Sequence, residues 1–296
     1  MKPTLFPLHY SETESNVSEN TTSNKKSNRR KSQINDLDLD NWKTLGDVWT
    51  DSLWLIPSRD KTGAHSNEYH GNFVPQIPRQ VIHRYTKKGE VVLDGFLGSG
   101  TTAIEANRLE RKCIGIELQP KIANLAKNII ESDSQFTNQK TDIIVGNSAG
   151  ESIKQGIRNS LEKFGERYVS LVILHPPYHD IIKFSDNPDD LSNKQSLEDF
   201  TDSFGKVIEN TTDNLPKGRY LVAVIGDKYT NSEWIPLGFY CMQEALKRGF
   251  SLKSIVVKDM QGNRAKQNQE QLWRYRALTG GFYIFKHEYI FIFRKK

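Results

Sequence analysis

Four residues, His175, Pro176, Pro177 and Tyr178, follow directly on the apolar run "VSLVIL" and are of types that could do chemistry together. Consecutive prolines end a strand pattern and stiffen the turn after it, because each ring fixes its own φ and restricts the residue before it. A rigid rim of this kind presents one polar side chain at 175, one carbonyl at 176 and one aromatic face at 178. Those features suit a planar substrate that bears an amino group. The His175 side chain and the Pro176 carbonyl can accept its hydrogens, and Tyr178 can stack on its ring. The plainer alternative for His175 is a histidine that caps the strand end.

A second constellation lies upstream in "VVLDGFLGSGTTAIEA", residues 91–106, where a β-forming run ends in an acid and a glycine-rich turn that passes straight into a helix pattern. Three cofactor classes use such a turn. A Walker A loop has the separation of Gly95 and Gly100, but Thr101 stands where its phosphate-binding lysine belongs. A dinucleotide motif is satisfied by Gly98, Gly100 and Ala103, with Glu117 at the end of the next strand as a ribose ligand. S-adenosylmethionine sites also place a glycine turn under the amino-acid end and an acid on the ribose. Asp94 weighs between the last two: a carboxylate there repels a pyrophosphate but helps to hold a cationic methionine portion, so a sulfonium is favoured over a dinucleotide.

Elements must position these turns. Beyond residue 90, short β-branched runs near 91–95, 112–117, 141–146, 169–174 and 219–226 alternate with helix-length segments, which predicts an α/β fold with a mainly parallel sheet and helices on both faces. Ligands then sit beyond the carboxyl ends of the strands, where both turns fall. "FSLKSIVVKDM" and "KHEYIFIFRKK" are strand-like and joined by a polar, basic stretch without a packed crossover helix, which predicts an antiparallel pair at one end of the sheet. The proline-bearing lead-in before residue 90 reads as loops with one short helix over 78–85. Residues 1–40 read as a disordered polar arm, rich in Ser, Asn and charge, and 41–296 as a single domain.

Composition sets outer limits. With 296 residues and 36% hydrophobic content the chain can bury one substantial core, and its net charge of +5 favours a polyanionic partner. Two cysteines, Cys113 and Cys241, cannot build a disulfide framework. With no apolar run near the roughly 18 residues of a membrane span, a soluble cytoplasmic protein is expected, with no membrane partner. His175 and His179 are four apart, but the prolines between them deny a helix face, so no metal is expected. His287 is read as supporting a strand or the rim of the site, and Asp227 as a strand-end acid either at the surface or in the cleft.

Taken together, the two turns resemble those of the DNA amino-methyltransferases, whose cofactor motif is usually D-P-F-x-G-S-G-T-T and whose catalytic tetrapeptide is (D/N/S)-P-P-(Y/F/W). The resemblance runs over about residues 45–296, with "GNFVPQIPRQVIHRYTKKGEVVLD" before the glycine turn and "KHEYIFIFRK" like a late H-E-Y strand motif. It implies a Rossmann-like methyltransferase fold and S-adenosylmethionine as cofactor, held by Asp94, Phe96, Gly98, Ser99, Gly100 and Thr101, with Glu117 on the ribose, Asn147 near the adenine ring and Phe73 near the methionine end. Catalysis falls by the same resemblance on His175, Pro176, Pro177 and Tyr178, acting on a base flipped out of double-stranded DNA.

Two departures stand out: Gly95 replaces the usual proline, which is expected to loosen the turn, and His175 replaces an Asp, Asn or Ser. Neutral imidazole can accept a hydrogen bond from the target amine; imidazolium cannot. The segment 258–286, with Lys258, Arg264, Lys266, Arg274, Arg276 and Lys286 among Trp273 and Tyr275, is the candidate for DNA contacts. No long insertion is available for a separate recognition domain, so specificity is expected to be short or reached as a homodimer. Cytosine N4 is slightly favoured as target. Adenine N6, an RNA base and a protein glutamine amide stay open, as do a nicotinamide-dependent oxidoreductase and a non-catalytic DNA-binding module.

Overall fold

Strands of four to six residues, buried on both faces, form the centre of the molecule. The computed structural model describes residues 33–65, 74–133, 140–260 and 270–296, of which 34–296 make one unit. In chain order the elements are β1 (Leu53–Trp54), α1 (Gln76–Tyr85), β2 (Val91–Asp94), α2 (Thr101–Arg108), β3 (Lys112–Glu117) and α3 (Pro120–Glu131). There follow β4 (Thr141–Val145), α4 (Ile153–Phe164), β5 (Leu171–Leu174), α5 (Leu197–Thr211) and β6 (Tyr220–Ile225). The chain closes with β7 (Lys228–Thr230), β8 (Glu233–Ile235), α6 (Leu237–Lys247), β9 (Phe250–Asp259), α7 (Glu270–Gly280) and β10 (His287–Lys295).

Eight strands form one sheet in the order β1-β9-β10-β6-β5-β2-β3-β4. From β4 to β6 every pairing is parallel, while β10 runs antiparallel to both β6 and β9. Parallel strands covered on both faces read as unbroken apolar runs, and "VVLD" and "LVIL" do so because alternate residues enter opposite cores. Leu93 packs with Phe200, Phe204 and Phe291 on one face; its neighbour Val92 packs with Ile77, Ala103 and Ile292 on the other. Helix starts are set locally. Pro120 opens α3 at its first turn, and the Ser196 hydroxyl accepts from Asp199 N at 3.0 Å to cap α5.

The parallel sheet with an antiparallel end matches the expected α/β, Rossmann-like class, and the five expected strands lie within two residues of their places. Four features differ. The antiparallel strand β10 is inserted between β9 and β6, and the short edge strand β1, in a lead-in read as loops, joins β9 in parallel. The connection to β10 contains α7, whose Leu272, Tyr275 and Leu278 are exposed, so it is a helix that packs little of its surface. A hairpin, β7–β8, turns at Asn231 and Ser232, both at positive φ (51° and 62°), the geometry that suits the twist of a two-residue hairpin.

The arm expected over 1–40 lies outside the described residues up to 32, and its far end belongs to the body. Asn35 Nδ2 donates to Arg84 O at 2.8 Å, and the Asp36 carboxylate pairs with buried Arg111 at 2.7 Å. Below the glycine turn, buried Glu105 of α2 accepts from Arg79 Nε at 2.7 Å and contacts His65 Nε2 at 2.6 Å, tying α1 and the preceding loop to α2. Burial raises that carboxyl, and the bonds from His65 and Arg79 outweigh it, leaving the group below the ordinary range. Among the described residues no helix is long and apolar enough to cross a membrane.

Candidate active site

The order of the sheet decides what meets what. Strands β2 and β5 are parallel neighbours, Asp94 lying beside Ile173, so the turns that follow them leave the same sheet edge side by side. The chain after β2 continues outward to β3 and β4, and after β5 it continues to β6 on the other side. Such a switch point leaves a crevice between two diverging loops. Here it is a cleft of about 400 Å³.

Glycine turn and tetrapeptide both line it. Phe96, Gly98, Thr101, Glu117 and Asn147 form one part of the wall, and His175, Pro176, Pro177 and Tyr178 another. Residues after the tetrapeptide complete the enclosure, with Ile181, Ile182, Phe184 and Leu191 facing the same space. That strap is held at its start by His179, which takes φ of 52°, donates from Nε2 to Lys194 O at 2.9 Å and receives Lys228 Nζ on Nδ1 at 3.2 Å.

Three expected cofactor residues stand behind the wall rather than on it. Asp94 is fully buried, and its Oδ1 accepts from Phe96 N at 2.8 Å, so its geometry shapes the turn instead of reaching into the cleft. Burial pushes its carboxyl up to about 6, against the pull of the Thr102 hydroxyl and the Phe96 N–H. Ser99 is buried beside it, and Gly100, at φ of 93°, starts α2 in a conformation that L side chains rarely adopt. Phe73 lies outside the described residues; Val74 next to it lines the cleft.

Glu117 does two things at once. Its Oε2 accepts from Gly98 N and its Oε1 from Gln119 N, each at 3.0 Å, so the carboxylate ties the glycine turn to the end of β3 while facing the cleft. Burial raises its carboxyl, and those two N–H groups partly restore it. Asn147 Oδ1 accepts from Ala149 N at 2.9 Å, leaving its amide hydrogens for other acceptors.

Gly95 is tightly held, not loose. Its N–H donates to Ile173 O at 3.1 Å, its carbonyl accepts from Ser148 Oγ at 2.6 Å, and a Cβ there would lie 2.5 Å from Leu174 Cδ2. The place of the family's proline ring is therefore occupied by Leu174. Gly95→Pro loses the N–H bond and forces Leu174 out of a packed core, at a cost of roughly 3 kcal/mol or more. Urea denaturation of the variant reads this loss, and an unchanged midpoint would contradict it.

His175 sits among charges that cancel. Burial lowers its imidazole to about 4; Glu288 pulls upward and Lys258 downward. Its Nε2 is 3.3 Å from the Tyr178 hydroxyl, which donates to Glu288 Oε2 at 2.6 Å, and Lys258 Nζ donates to Glu288 Oε1 at 2.8 Å. Lys258, expected among the DNA contacts, is thus a buried member of this site. Glu288 is a site residue that the sequence reading passed over between His287 and Tyr289. Asp227 and His287 are elsewhere: Asp227 accepts from Trp234 Nε1 at 2.9 Å and Gly238 N at 3.1 Å, and His287 Nε2 meets the Tyr289 hydroxyl at 3.0 Å. Neither lines the cleft.

The donors fit S-adenosylmethionine better than a dinucleotide. The carboxyl of Glu117 and the amide of Asn147 face one end, Asp94 lies under the turn, and among the described residues of the lining the one Lys or Arg, Lys258, is paired with Glu288, so the wall suits ribose hydroxyls and an adenine edge.

The family model for DNA methylases matches residues 4–128 and 169–296, well over half of the chain. Type II methyltransferase M.BglI of Bacillus subtilis is 39% identical over 80 residues, covering 27% of this chain and 22% of that protein. Type II methyltransferase M2.DpnII of Streptococcus pneumoniae is 31% identical over 102 residues, covering 33% of this chain and 35% of that one. The matches thus span about a quarter to a third of these relatives' lengths. A solved methyltransferase from Pyrococcus furiosus overlaps 78% of this chain and 87% of its own at 16% identity and a TM-score of 0.47. With both of its turns on one cleft and the family model matched along most of its length, the chain belongs to the DNA methylase family.

Proposed function

We propose that the chain transfers a methyl group from S-adenosylmethionine to an exocyclic amino nitrogen of a base in double-stranded DNA, with cytosine N4 favoured over adenine N6. One observation carries the reading: a single cleft joins the acid and amide suited to a nucleoside with a rigid rim suited to a planar amine. Bound over the glycine turn, the cofactor supplies an electrophilic methyl group. Glu117 would accept from the ribose hydroxyls and Asn147 would meet the adenine edge, while Asp94 acts through the shape of the turn. His175 and the Pro176 carbonyl accept the hydrogens of the target amine, whose lone pair is otherwise conjugated into its ring. With the cofactor bound, a nitrogen held by these two acceptors would be positioned for the methyl group, and that positioning would supply much of the acceleration. A base inside a duplex has to be flipped out to reach the rim, where Tyr178 stacks on it. The lean to cytosine rests on His175, a neutral acceptor where DPPY members carry an acid.

Duplex contacts are assigned to the lobe built by β7–β8 and the segment after α7. Tyr229 stacks on Phe282 at 4.2 Å and Trp234 meets Phe285 edge-on at 5.2 Å, which fixes this lobe near the exposed Arg274, Arg276, Tyr283 and Lys286. Arg264 and Lys266 of the expected segment lie outside the described residues. Replacing Arg274 and Arg276 together by alanine is expected to weaken binding to all sequences alike and to lower the salt dependence of log K by about two. Fluorescence anisotropy with duplex DNA over a salt series measures it; an unchanged slope removes the assignment.

The reading itself is tested by incubating the protein with methyl-labelled S-adenosylmethionine and duplex DNA of mixed sequence, then digesting to nucleosides. N4-methylcytosine is the expected product. N6-methyladenine would correct the target base, and transfer only to RNA or protein, or none, would overturn the proposal.

A further inference from the structure

Lys258, Glu288, Tyr178 and His175 form one hydrogen-bonded chain that ends at the rim, and methyl transfer as described gives Lys258 and Glu288 no task. They are cross-strand partners, Glu288 of β10 lying opposite Lys258 of β9, and both are buried, at 6% and 8% exposure. An ion pair inside a protein is not in general a net gain over apolar residues, so its presence here calls for another account. Its geometry supplies one. Lys258 occupies Oε1 at 2.8 Å, which leaves Oε2 for the Tyr178 hydroxyl at 2.6 Å, a length typical of an O–H donating to a charged oxygen. Burial raises the Glu288 carboxyl, and the Lys258 ammonium, with the hydrogen bonds from Lys258 and Tyr178, brings it below its ordinary range, so it is ionised and can only accept.

A phenol has one hydrogen. With that hydrogen given to Glu288, the Tyr178 oxygen has only lone pairs to offer His175 Nε2, 3.3 Å away. Nε2 must then carry the imidazole proton. The Tyr178 ring packs closely against Gly226, where a Cβ would lie 3.0 Å from Cε2.

We propose that Glu288 is a positioning residue that acts through Tyr178 to hold His175 as the Nε2–H tautomer, so that Nδ1 carries the ring's lone pair. The inference rests on the reading above for its catalytic meaning: the accepting atom at position 175 is specified by a carboxylate on another strand. In members with an Asp, Asn or Ser at this place no tautomer needs choosing; the departure to histidine creates that need.

Glu288→Gln is nearly isosteric and reverses the chain. The amide oxygen stays with the Lys258 ammonium, the amide NH₂ faces and donates to the Tyr178 oxygen, and the hydroxyl turns to donate to Nε2, moving the imidazole proton to Nδ1. Ring ¹H–¹⁵N correlations of ¹⁵N-histidine protein, with His175 assigned by its Asn variant, are expected to show Nε2–H in the wild type and Nδ1–H in Glu288→Gln. Turnover is expected to fall roughly 100-fold or more with cofactor affinity unchanged, as when a histidine is left in its wrong tautomer. An Nδ1–H wild type, or an unchanged pattern in Glu288→Gln, overturns the proposal. Should that variant lose its near-UV circular dichroism, Tyr178→Phe replaces it: with the hydroxyl gone both tautomers should appear, and a pure Nε2–H form overturns the proposal. A tautomer switch in a protein that methylates no base supports the relay and removes the functional reading alone.

Discussion

His175→Ala is expected to lower methyl-transfer turnover roughly 10²- to 10³-fold, the range for removing one positioned hydrogen-bonding group at the reacting centre, while cofactor affinity changes little. The pH profile carries the finer test. Because burial holds the imidazole down to about 4, it stays neutral from pH 5 to 8, and turnover should show no acid limb near the ordinary histidine value of about 6.5. An acid limb that survives in His175→Asn belongs to the carboxyls that burial raises, Asp94 and Glu117, and Asp94→Asn and Glu117→Gln tell them apart.

The two groups act on stability with opposite signs. His175 has a folded value below its unfolded one, so the folded state binds fewer protons, and stability is lost as pH falls through about 6.5 towards 4. Asp94 has a folded value above its unfolded one, so its contribution is present in acid and is lost as pH rises from about 4 to 6. Denaturation midpoints of His175→Asn and Asp94→Asn between pH 4 and 7 should therefore diverge in opposite directions from the wild type. Full turnover by His175→Ala across pH 5 to 8 would falsify its role as acceptor.

Glu117→Ala should raise the dissociation constant for S-adenosylmethionine by roughly 100-fold or more. Two losses combine. The ribose hydroxyls lose their acceptor, and the N–H groups of Gly98 and Gln119 lose theirs; each unsatisfied buried group costs about 1–3 kcal/mol. Glu117→Gln separates these effects, since an amide can accept only through its oxygen and presents an NH₂ to one of the two backbone donors. It should fall between alanine and wild type. Calorimetry with S-adenosylmethionine and with its demethylated product reads the series, and alanine binding within about threefold of wild type would remove Glu117 from the cofactor's site.

Much of this site is legible in the sequence. "VVL" and "LVIL" are unbroken apolar runs followed two residues on by glycine or proline, a local signal that needs no tertiary partner, and their strand ends fell within a residue or two of the structure. Side chains that meet across strands were not legible. Glu288 is one acid in the alternating run "HEYIFIF" and Lys258 one cation in a basic stretch; nothing in either segment specifies that 288 lies opposite 258. Asp227 fails for the same reason: a strand-end acid faces a cleft or a neighbouring hairpin according to where that hairpin folds, and here Trp234 and Gly238 take it.

The chain's own residues determined the repeating strands, the two turns and the kind of cofactor they suit, because proline, glycine and apolar periodicity act over a few neighbouring positions. Tertiary structure alone decided that the turns share one cleft, that Asp94 stands behind its wall, that Leu174 fills the space of a missing proline, and that a buried pair from β9 and β10 reaches His175 through Tyr178. Those outcomes depend on strand order and register, which are settled by the packing of whole faces rather than by any single segment.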